Sequence, residues 1–102
     1  MTIDEIIEVA RSRTNDLILL KHTVLFDLED DGKILIDATG ENLEIIANPN
    51  SEDADTTLIL SKDNMEELIL GKLSPMVAFT MGKLKVLGSK GVALKLSGLL
   101  ES

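Results

Sequence analysis

The first apolar residues of the chain recur at the spacing of an amphipathic helix. Thr2 and Glu5 match a capping box, in which each side chain accepts a hydrogen bond from the backbone N–H group of the other residue. At helical spacing, one face of this segment carries the apolar residues Ile3, Ile6, Ile7 and Ala10. This pattern predicts a helix near the start of the chain, and a second short helical segment is predicted over residues 16–21.

From residue 22 onward the period changes to the apolar–polar alternation of half-buried strands. Four strands are predicted in this part of the chain, over residues 22–29, 33–38, 43–47 and 56–60. Asp31 and Gly32 predict a two-residue hairpin turn between the first two strands, because glycine readily adopts the positive φ of such turns. We expect the first three strands to form a meander with one polar face, and an acidic loop then leads into the fourth.

Helix signals return after the fourth strand. Ser61 is a good N-cap residue and Gly71 is a typical helix stop, which predicts a helix between them. Ser74, followed by proline, predicts a shorter helix that ends before Gly82. Lysine and apolar residues then alternate over residues 83–86, which predicts a fifth strand with its lysines outside.

Periodicity does not assign residues 88–100 to one kind of element. Val92, Leu96 and Leu99 have the spacing of a helix, whereas Val92, Leu94 and Leu96 alternate with other residues as in a strand. Both interpretations stay open on the pattern alone.

Length and composition limit what kind of protein this chain can be. A chain of 102 residues is expected to form one domain, residues 1–102. Hydrophobic residues make up 44% of it but aromatic residues only 2%, so aliphatic and methionine side chains either fill its core or line a cavity. The absence of cysteine excludes disulfides and thiolate sites. No apolar run approaches a membrane span, and acids stand where a secretory signal has bases, so a cytoplasmic protein is expected.

Charge is unevenly distributed along the chain, whose net charge is −8. Residues 1–71 carry 17 acidic and five basic side chains, whereas residues 72–102 carry one acid and five lysines. The acidic majority and the scarcity of aromatic residues argue against nucleic-acid binding. The basic last third could make transient contact with an anionic headgroup or a membrane surface, or its lysines could be ordinary solvated positions.

No constellation of residues with catalytic potential is evident. His22 is the only histidine, which rules out a metal site built on several histidines, and no nucleophile motif is present. The acidic residues 29–31 lack the spacing of a calcium loop, and Gly82, Gly88 and Gly91 match no nucleotide fingerprint. We therefore expect no catalytic residues, no metal site and no cofactor, and the protein is not expected to be an enzyme.

One ordered set of motifs spans the second half of the chain. It consists of Ala54–Thr57, Ser61, Gly71–Pro75, Ala78–Leu84 and Gly88–Leu96. In this order the segments resemble the sterol carrier protein 2 family. The family pattern contains an Ala-Asp-x-Thr strand, a Ser-capped helix, Gly-Lys-Leu-x-Pro, Ala-Phe-x-x-Gly-Lys-Leu and a final Gly-x-x-Gly segment. Each motif alone is weak, but the ordered set is specific.

The resemblance implies an α/β fold in the broad sense, of the class called α+β. In this fold a five-stranded mixed β-sheet is covered on one face by helices, with an apolar tunnel between the layers. It implies that the last segment is a helix, packed as a lid beside the tunnel. It also implies non-covalent and non-catalytic carriage of lipids such as fatty acids, acyl-CoA esters, sterols or phospholipids. Because the peroxisomal tail of some animal members is missing, a stand-alone prokaryotic member is expected.

By position, the resemblance places the ligand-binding residues in three parts of the chain. The helix that follows Ser74 contributes Met76, Phe79, Thr80 and Met81. The fifth strand contributes Leu84 and Val86, and the lid contributes Val92, Leu96, Leu99 and Leu100. The candidates for contact with an acidic headgroup are Lys90 and Lys95. Many family members carry Gln at the position of Met81, so a more apolar ligand or deeper insertion is favoured here.

Two alternatives stay open. The domain could act as a protein-interaction or oligomerisation module that presents lipid substrate to a partner enzyme, a role that the resemblance suggests for family members fused to enzymes. Met76, Phe79 and Met81 could instead pack a filled core that has no cavity.

Overall fold

The structure is a computed structural model that describes residues 1–101. Within these residues the chain forms five α-helices and five β-strands. The helices are α1 (Ile3–Ser12), α2 (Thr14–Leu17), α3 (Lys62–Ile69), α4 (Pro75–Thr80) and α5 (Lys90–Leu100). The strands are β1 (Thr23–Asp27), β2 (Lys33–Asp37), β3 (Glu44–Ala47), β4 (Thr56–Leu60) and β5 (Leu84–Gly88). Ser102, the last residue of the predicted domain, lies outside the described residues.

The five strands form one mixed sheet in the order β3-β2-β1-β4-β5. β1 pairs with β4 in parallel, with Phe26 opposite Leu58, and the other neighbouring strands are antiparallel. The meander of β1, β2 and β3 therefore fills one side of the sheet, and β4 returns beside β1 to begin the other side. The predicted five-stranded mixed sheet is confirmed.

Helices cover one face of this sheet. The strand residues that point towards them are buried, and they include Val24, Phe26, Ile34, Ile36, Leu58 and Leu60. They share one core with the apolar faces of the helices, which include Ile6, Leu17, Leu68 and Leu96. On the opposite face of the sheet, Ile46 and Leu87 are exposed. The structure therefore confirms the α+β architecture with a single helix-covered face.

Helix boundaries follow the predicted capping residues. In α1 the Glu5 N–H donates to Thr2 Oγ1 at 3.1 Å and the Thr2 N–H donates to Glu5 Oε1 at 2.9 Å, which completes the capping box. At α3, Ser61 Oγ accepts from the Asn64 N–H at 3.1 Å, and Gly71 ends the segment at φ 76°. The second predicted helical segment is observed as α2 and the 3₁₀ turn that follows it. The side-chain caps satisfy amides that lack a partner within their own helix.

The predicted two-residue turn between β1 and β2 is wrong. Pairing ends at Asp27 and Lys33, and residues 28–32 form a longer loop that contains a 3₁₀ turn. Leu28 is buried in the core, and its N–H donates to the Gly32 carbonyl oxygen at 2.8 Å. Leu28 leaves the direction of β1 to reach the core. The chain therefore needs more than two residues to begin β2. Gly32 still supplies a positive φ, at 110°.

The last third of the chain resolves the ambiguity that periodicity left. β5 begins at Leu84, one residue later than predicted, and continues to Gly88 because its last residues still pair with β4. The final segment is the helix α5, as the resemblance implies, and its N-cap Ser89 accepts from the Val92 N–H at 3.1 Å. Helical spacing is also evident in its buried residues, which are Val92, Ala93, Leu96, Ser97 and Leu100.

Candidate functional site

An apolar groove lies at the edge of the domain, between α4, β5 and α5. Its volume is about 220 Å³, and it is partly open to solvent. The residues that line it are Pro75, Met76, Phe79, Leu84, Val86, Lys90, Gly91, Ala93 and Leu94. Lys90 is the one charged residue of this lining, so the groove suits the apolar part of a ligand. The structure therefore has an apolar groove with an open mouth at this edge, and its identity with the tunnel that the resemblance implies stays a prediction.

α4 forms the outer wall of the groove and packs against α5 and β5. Ser74 caps its first turn, and Pro75 occupies the first helical position, where the fixed φ of proline suits a helix. Pro75 and Ala78 are its buried residues, whereas Met76 and Phe79 are exposed by 40% and 42%. Most of this short helix therefore faces solvent or the groove.

A hydrogen bond connects α4 to α5. Ser97, a buried residue of α5, accepts from the Met76 N–H through its Oγ at 3.4 Å. The Met76 amide lies in the first turn of α4, where no helical carbonyl group is available to it. This bond joins the first turn of α4 to α5, against which the helix also packs.

β5 supplies the floor of the groove. Successive residues of a strand point to opposite faces of the sheet, so Leu84 and Val86 face the helices while Lys85 and Leu87 lie on the open face. Leu84 is buried, and Val86 is half-buried against the core. β5 is also an edge strand, which leaves the space beside it without a further strand to close it.

The predicted ligand-binding residues occupy three environments. Those that line the groove are Met76, Phe79, Leu84, Val86 and the headgroup candidate Lys90. Those buried in the core or half-buried against it are Val92, Leu96, Leu99 and Leu100. Those exposed outside this lining are Thr80, Met81 and Lys95. α5 turns one face to the core and another to the groove, and its apolar residues are divided accordingly.

Sequence reasoning missed four residues of the lining, which are Pro75, Gly91, Ala93 and Leu94. Leu94 follows Lys90 by four residues, so the two share one side of a helix. The helical interpretation of residues 88–100 contains this spacing and could have identified Leu94. Nothing in the pattern distinguishes Ala93, a small buried residue, as part of a groove.

The residues that line the groove come from the basic part of the sequence. From residue 72 to residue 100 the chain contains five lysines and no acid. Within residues 1–101 the ammonium groups of these five lysines form no salt bridge, and the lysine that does is Lys33, which pairs with Glu52 at 2.6 Å. The lysines near the groove are therefore available to an anionic group outside the protein.

The side chains around the groove limit its chemistry. Its lining contains no carboxylate, imidazole or hydroxyl group, so it can contact an apolar chain and offer one ammonium group. In the part of the chain that the structure describes, no three His, Asp or Glu side chains come together as a metal site would require. None of the helices in residues 1–101 is long and apolar enough to cross a bilayer.

Known proteins are similar to this chain over almost its whole length. The family model described as the SCP-2 sterol transfer family matches residues 3–101. Hydroxysteroid dehydrogenase-like protein 2 of Bos taurus is 32% identical over 96 residues, which cover 91% of this chain and 23% of the relative. Sterol carrier protein 2 of Bos taurus is 42% identical over 52 residues, which cover 50% of this chain and 10% of the relative. The chain thus spans about a quarter or less of the length of these relatives.

A solved structure shares the arrangement of sheet and helices. The solution structure of the sterol carrier protein domain 2 of Helicoverpa armigera has a TM-score of 0.70 and 30% sequence identity. The match covers 91% of this chain and 77% of that chain. The fold described above is therefore common to both proteins along most of their length.

Proposed function

Since the chain belongs to the SCP-2 sterol transfer family, we propose that it is a lipid carrier that holds the apolar part of its ligand in the groove between α4, β5 and α5. The match to the family model confirms the resemblance found in the sequence. Domains of this family are usually non-catalytic, and binding here is proposed to need no covalent step and no cofactor. The proposed ligands are fatty acids, acyl-CoA esters or sterol-like lipids. A cytoplasmic setting and a stand-alone prokaryotic origin stay predictions of the sequence.

The apolar lining of the groove is the observation that carries this proposal. Each methylene group withdrawn from water contributes about 0.8 kcal/mol. Several methylenes packed between Phe79 and Val86 would therefore offset the several kcal/mol that immobilisation of a ligand costs. A polar metabolite would gain nothing comparable from these side chains.

The size of the groove indicates how such a ligand fits. Its volume of 220 Å³ is below the roughly 300–1,000 Å³ typical of small-molecule sites. A complete acyl chain or sterol therefore needs more room than this conformation offers. We propose that α4 supplies the room by moving outward from α5 and β5, because only Pro75 and Ala78 of its side chains are buried.

Lys90 is the proposed partner of an acidic headgroup. It lines the groove and belongs to the first turn of α5, where the dipole of the helix adds a favourable field for an anion. Lys95 lies further along the exposed side of the same helix. A carboxylate held at the mouth by Lys90 would direct its hydrocarbon chain inward, towards Leu84 and Val86.

A second function is supported by an observation of its own. The chain spans 23% of hydroxysteroid dehydrogenase-like protein 2, so this relative carries a similar domain within a much longer protein. The domain could then be an interaction or oligomerisation module that presents lipid substrate to a partner enzyme. In that case the exposed side chains of Met76 and Met81 would contact protein rather than lipid.

Titration of the delipidated protein with a fluorescent fatty acid tests the carrier function. We expect saturable binding with a Kd of about 10 μM or lower, displaced by unlabelled fatty acid. Phe79→Ser removes an aromatic wall of the groove and should weaken binding about tenfold, which corresponds to about 1.4 kcal/mol of lost apolar contact. Because Phe79 is already exposed by 42%, this substitution should leave the fold intact.

Leu87→Ser is the matched control for this experiment. Leu87 is an exposed apolar residue of β5 on the opposite face of the sheet, so its variant should bind fatty acid as the wild type does. Equal losses in both variants, or no displaceable signal from the wild type, would contradict the carrier function. A changed oligomeric mass of Phe79→Ser with unchanged fatty-acid binding would favour the interaction module instead.

A further inference from the structure

Among residues 1–101, no strand pairs with the outer edge of β5. This strand ends the sheet order β3-β2-β1-β4-β5, and its one neighbour is β4. The Ser89 N–H donates to the Asp55 carbonyl oxygen at 2.9 Å, directly after the last pair of the antiparallel register. Because residues that exchange hydrogen bonds alternate with residues that do not, Leu87 and Lys85 bond to β4. The N–H and C=O groups of Val86 therefore point away from the sheet.

The side chain of Thr56 supports this direction. Its Oγ1 donates to the Leu87 carbonyl oxygen at 3.3 Å, which places that carbonyl group on the β4 side of the strand. Within residues 1–101, no hydrogen bond from another element reaches the backbone groups of Val86. A strand edge with such groups can pair with a further strand.

We propose that the outer edge of β5 binds an extended, acidic segment of a partner protein, which adds a sixth strand to the sheet. The added strand runs antiparallel to β5, with its central residue opposite Val86. Main-chain hydrogen bonds supply affinity in this kind of contact, and the alternate side chains supply specificity. The occupant is a polypeptide, so this contact is a function in addition to lipid carriage.

The charges beside this edge favour an acidic partner. Lys83 and Lys85 are exposed at the start of β5, and Lys90 follows its end. Residues 72–100 contain no acid. Glu29 lines a concavity with Lys83 and Lys85, but none of the salt bridges within residues 1–101 joins it to them. Because like charges opposite each other destabilise a pair of strands, Lys85 selects against a basic segment and for an acidic one.

The two faces of the sheet determine which side chains suit the added strand. Residues opposite each other in paired strands lie on the same face. The residue opposite Lys85 therefore lies on the open face, where a carboxylate can pair with the ammonium group. The residue opposite Val86 lies on the helix-covered face, at the open side of the groove, where an apolar side chain fits. The preferred segment thus alternates apolar and acidic residues.

A second copy of the chain fits this edge poorly. In a two-fold symmetric pair of β5 strands centred on Val86, Lys85 would lie opposite Leu87 of the other copy instead of an acid. The lysines of both copies would also come together, and residues 72–100 offer no acid to compensate. An acidic segment supplies the missing negative charge.

Fluorescence anisotropy with synthetic peptides tests the proposal on the delipidated chain. The probe is a labelled peptide with capped ends and the sequence Val-Glu-Val-Glu-Val, and its counterpart has lysine in place of glutamate. We expect saturable binding of the acidic peptide, about tenfold tighter than that of the basic peptide. Lys85→Glu should weaken binding of the acidic peptide about fivefold and strengthen that of the basic one. Lys72→Glu is the matched control, since it makes the same charge change in the exposed loop between α3 and α4.

Backbone N-methylation of the peptide tests strand pairing separately from charge. Methylation of the central valine removes the N–H group that would donate to the Val86 carbonyl oxygen, so binding should fall about tenfold. Methylation of a glutamate changes an N–H group that points away from β5 in the proposed pairing, and binding should stay nearly the same. Both methylated peptides have the same charge and length, and the protein itself is unchanged.

No saturable binding of the acidic peptide, or equal binding of both peptides, would overturn the proposal. Equal losses from the two methylations, or equal effects of Lys85→Glu and Lys72→Glu, would overturn it as well. Displacement of the peptide by fatty acid without sensitivity to methylation would place the peptide in the groove as an apolar ligand and so reject strand pairing.

Two further outcomes separate this proposal from its alternatives. A dimer that forms with rising protein concentration and excludes the peptide would assign the edge to a second copy and overturn the proposal. A protein that binds the acidic peptide but no fatty acid would support the β5 contact and reject the carrier function. The two proposals can therefore fail separately.

Discussion

Asp55 connects three strands at one end of the sheet. Its Oδ2 accepts from the Thr23 N–H at 3.0 Å and lies 3.1 Å from His22 Nδ1, and its own N–H donates to Thr23 Oγ1 at 2.8 Å. Its carbonyl oxygen accepts from the Ser89 N–H at 2.9 Å. The residue thus links the start of β1, the start of β4 and the turn from β5 into α5. This gives the aspartate of the Ala-Asp-x-Thr motif a structural role.

These hydrogen bonds should make stability depend on pH in the acid range. The Thr23 N–H, followed by His22, stabilises the carboxylate and lowers the pKa of Asp55 below its ordinary value. A carboxyl group with a lowered folded pKa stabilises the fold above the unfolded value, about 3.9 for aspartate, and this contribution is lost as pH falls through the folded pKa. Asp55→Asn should therefore flatten the decline of the free energy of unfolding below about pH 4.

Urea denaturation at a series of pH values measures this effect. Asp53→Asn serves as the control, since Asp53 is an exposed aspartate of the same acidic loop. If the wild type and Asp55→Asn lost stability equally on acidification, the hydrogen bonds of Asp55 would not be the cause.

α5 combines a well-buried face with a weak intrinsic preference for helix. It contains two glycines, Gly91 in the first turn and Gly98 near the end, and glycine costs up to about 1 kcal/mol relative to alanine within a helix. A Cβ added at Gly98 would meet no atom within 4 Å, and one added at Gly91 would lie at an ordinary 3.7 Å from Ser89 Oγ. Packing of the buried face, which includes Leu96, therefore supplies most of the stability of this helix.

Two glycine substitutions should have opposite effects on stability. Gly98→Ala should raise the free energy of unfolding by about 1 kcal/mol, because alanine prefers the helix and the site has room. Gly88→Ala should lower it by more than about 1 kcal/mol, because Gly88 has φ 94° and an added Cβ would lie 2.8 Å from the Asp55 carbonyl oxygen. Chemical denaturation of the two variants measures both changes, and stabilisation by Gly88→Ala would contradict the close approach of β5 to β4.

Ligand binding should stabilise the domain as a whole. A ligand that binds only the folded state contributes about 1.4 kcal/mol at ten times its Kd. For a chain of 102 residues this corresponds to an increase in Tm of roughly 5–10 °C. Thermal unfolding with and without a fatty acid measures the shift, and Phe79→Ser should show a smaller one at the same concentration. An interaction module without a lipid site would show no shift in either protein.

Local signals along the sequence determined most of the elements. The caps Thr2, Ser61 and Ser74, and the positive φ of Gly71 and Gly82, involve neighbours within a few residues. Such interactions leave their pattern within one segment of the chain, so the pattern predicts them. The uneven charge and the ordered motifs are likewise properties of the sequence, and the motifs by themselves indicated the family.

The tertiary structure decided which apolar residues surround the groove. Leu28 is buried, which lengthens the loop after β1, and residues 90–100 of the segment that periodicity had left open form a helix. The tertiary structure also separated Phe79 and Leu84, which line the groove, from Leu96, which the core encloses. Each outcome depends on contacts between residues far apart in the chain, and these contacts leave no period within a single segment. The sequence determined the elements and their charge, whereas the packing of α4, β5 and α5 determined where the groove lies.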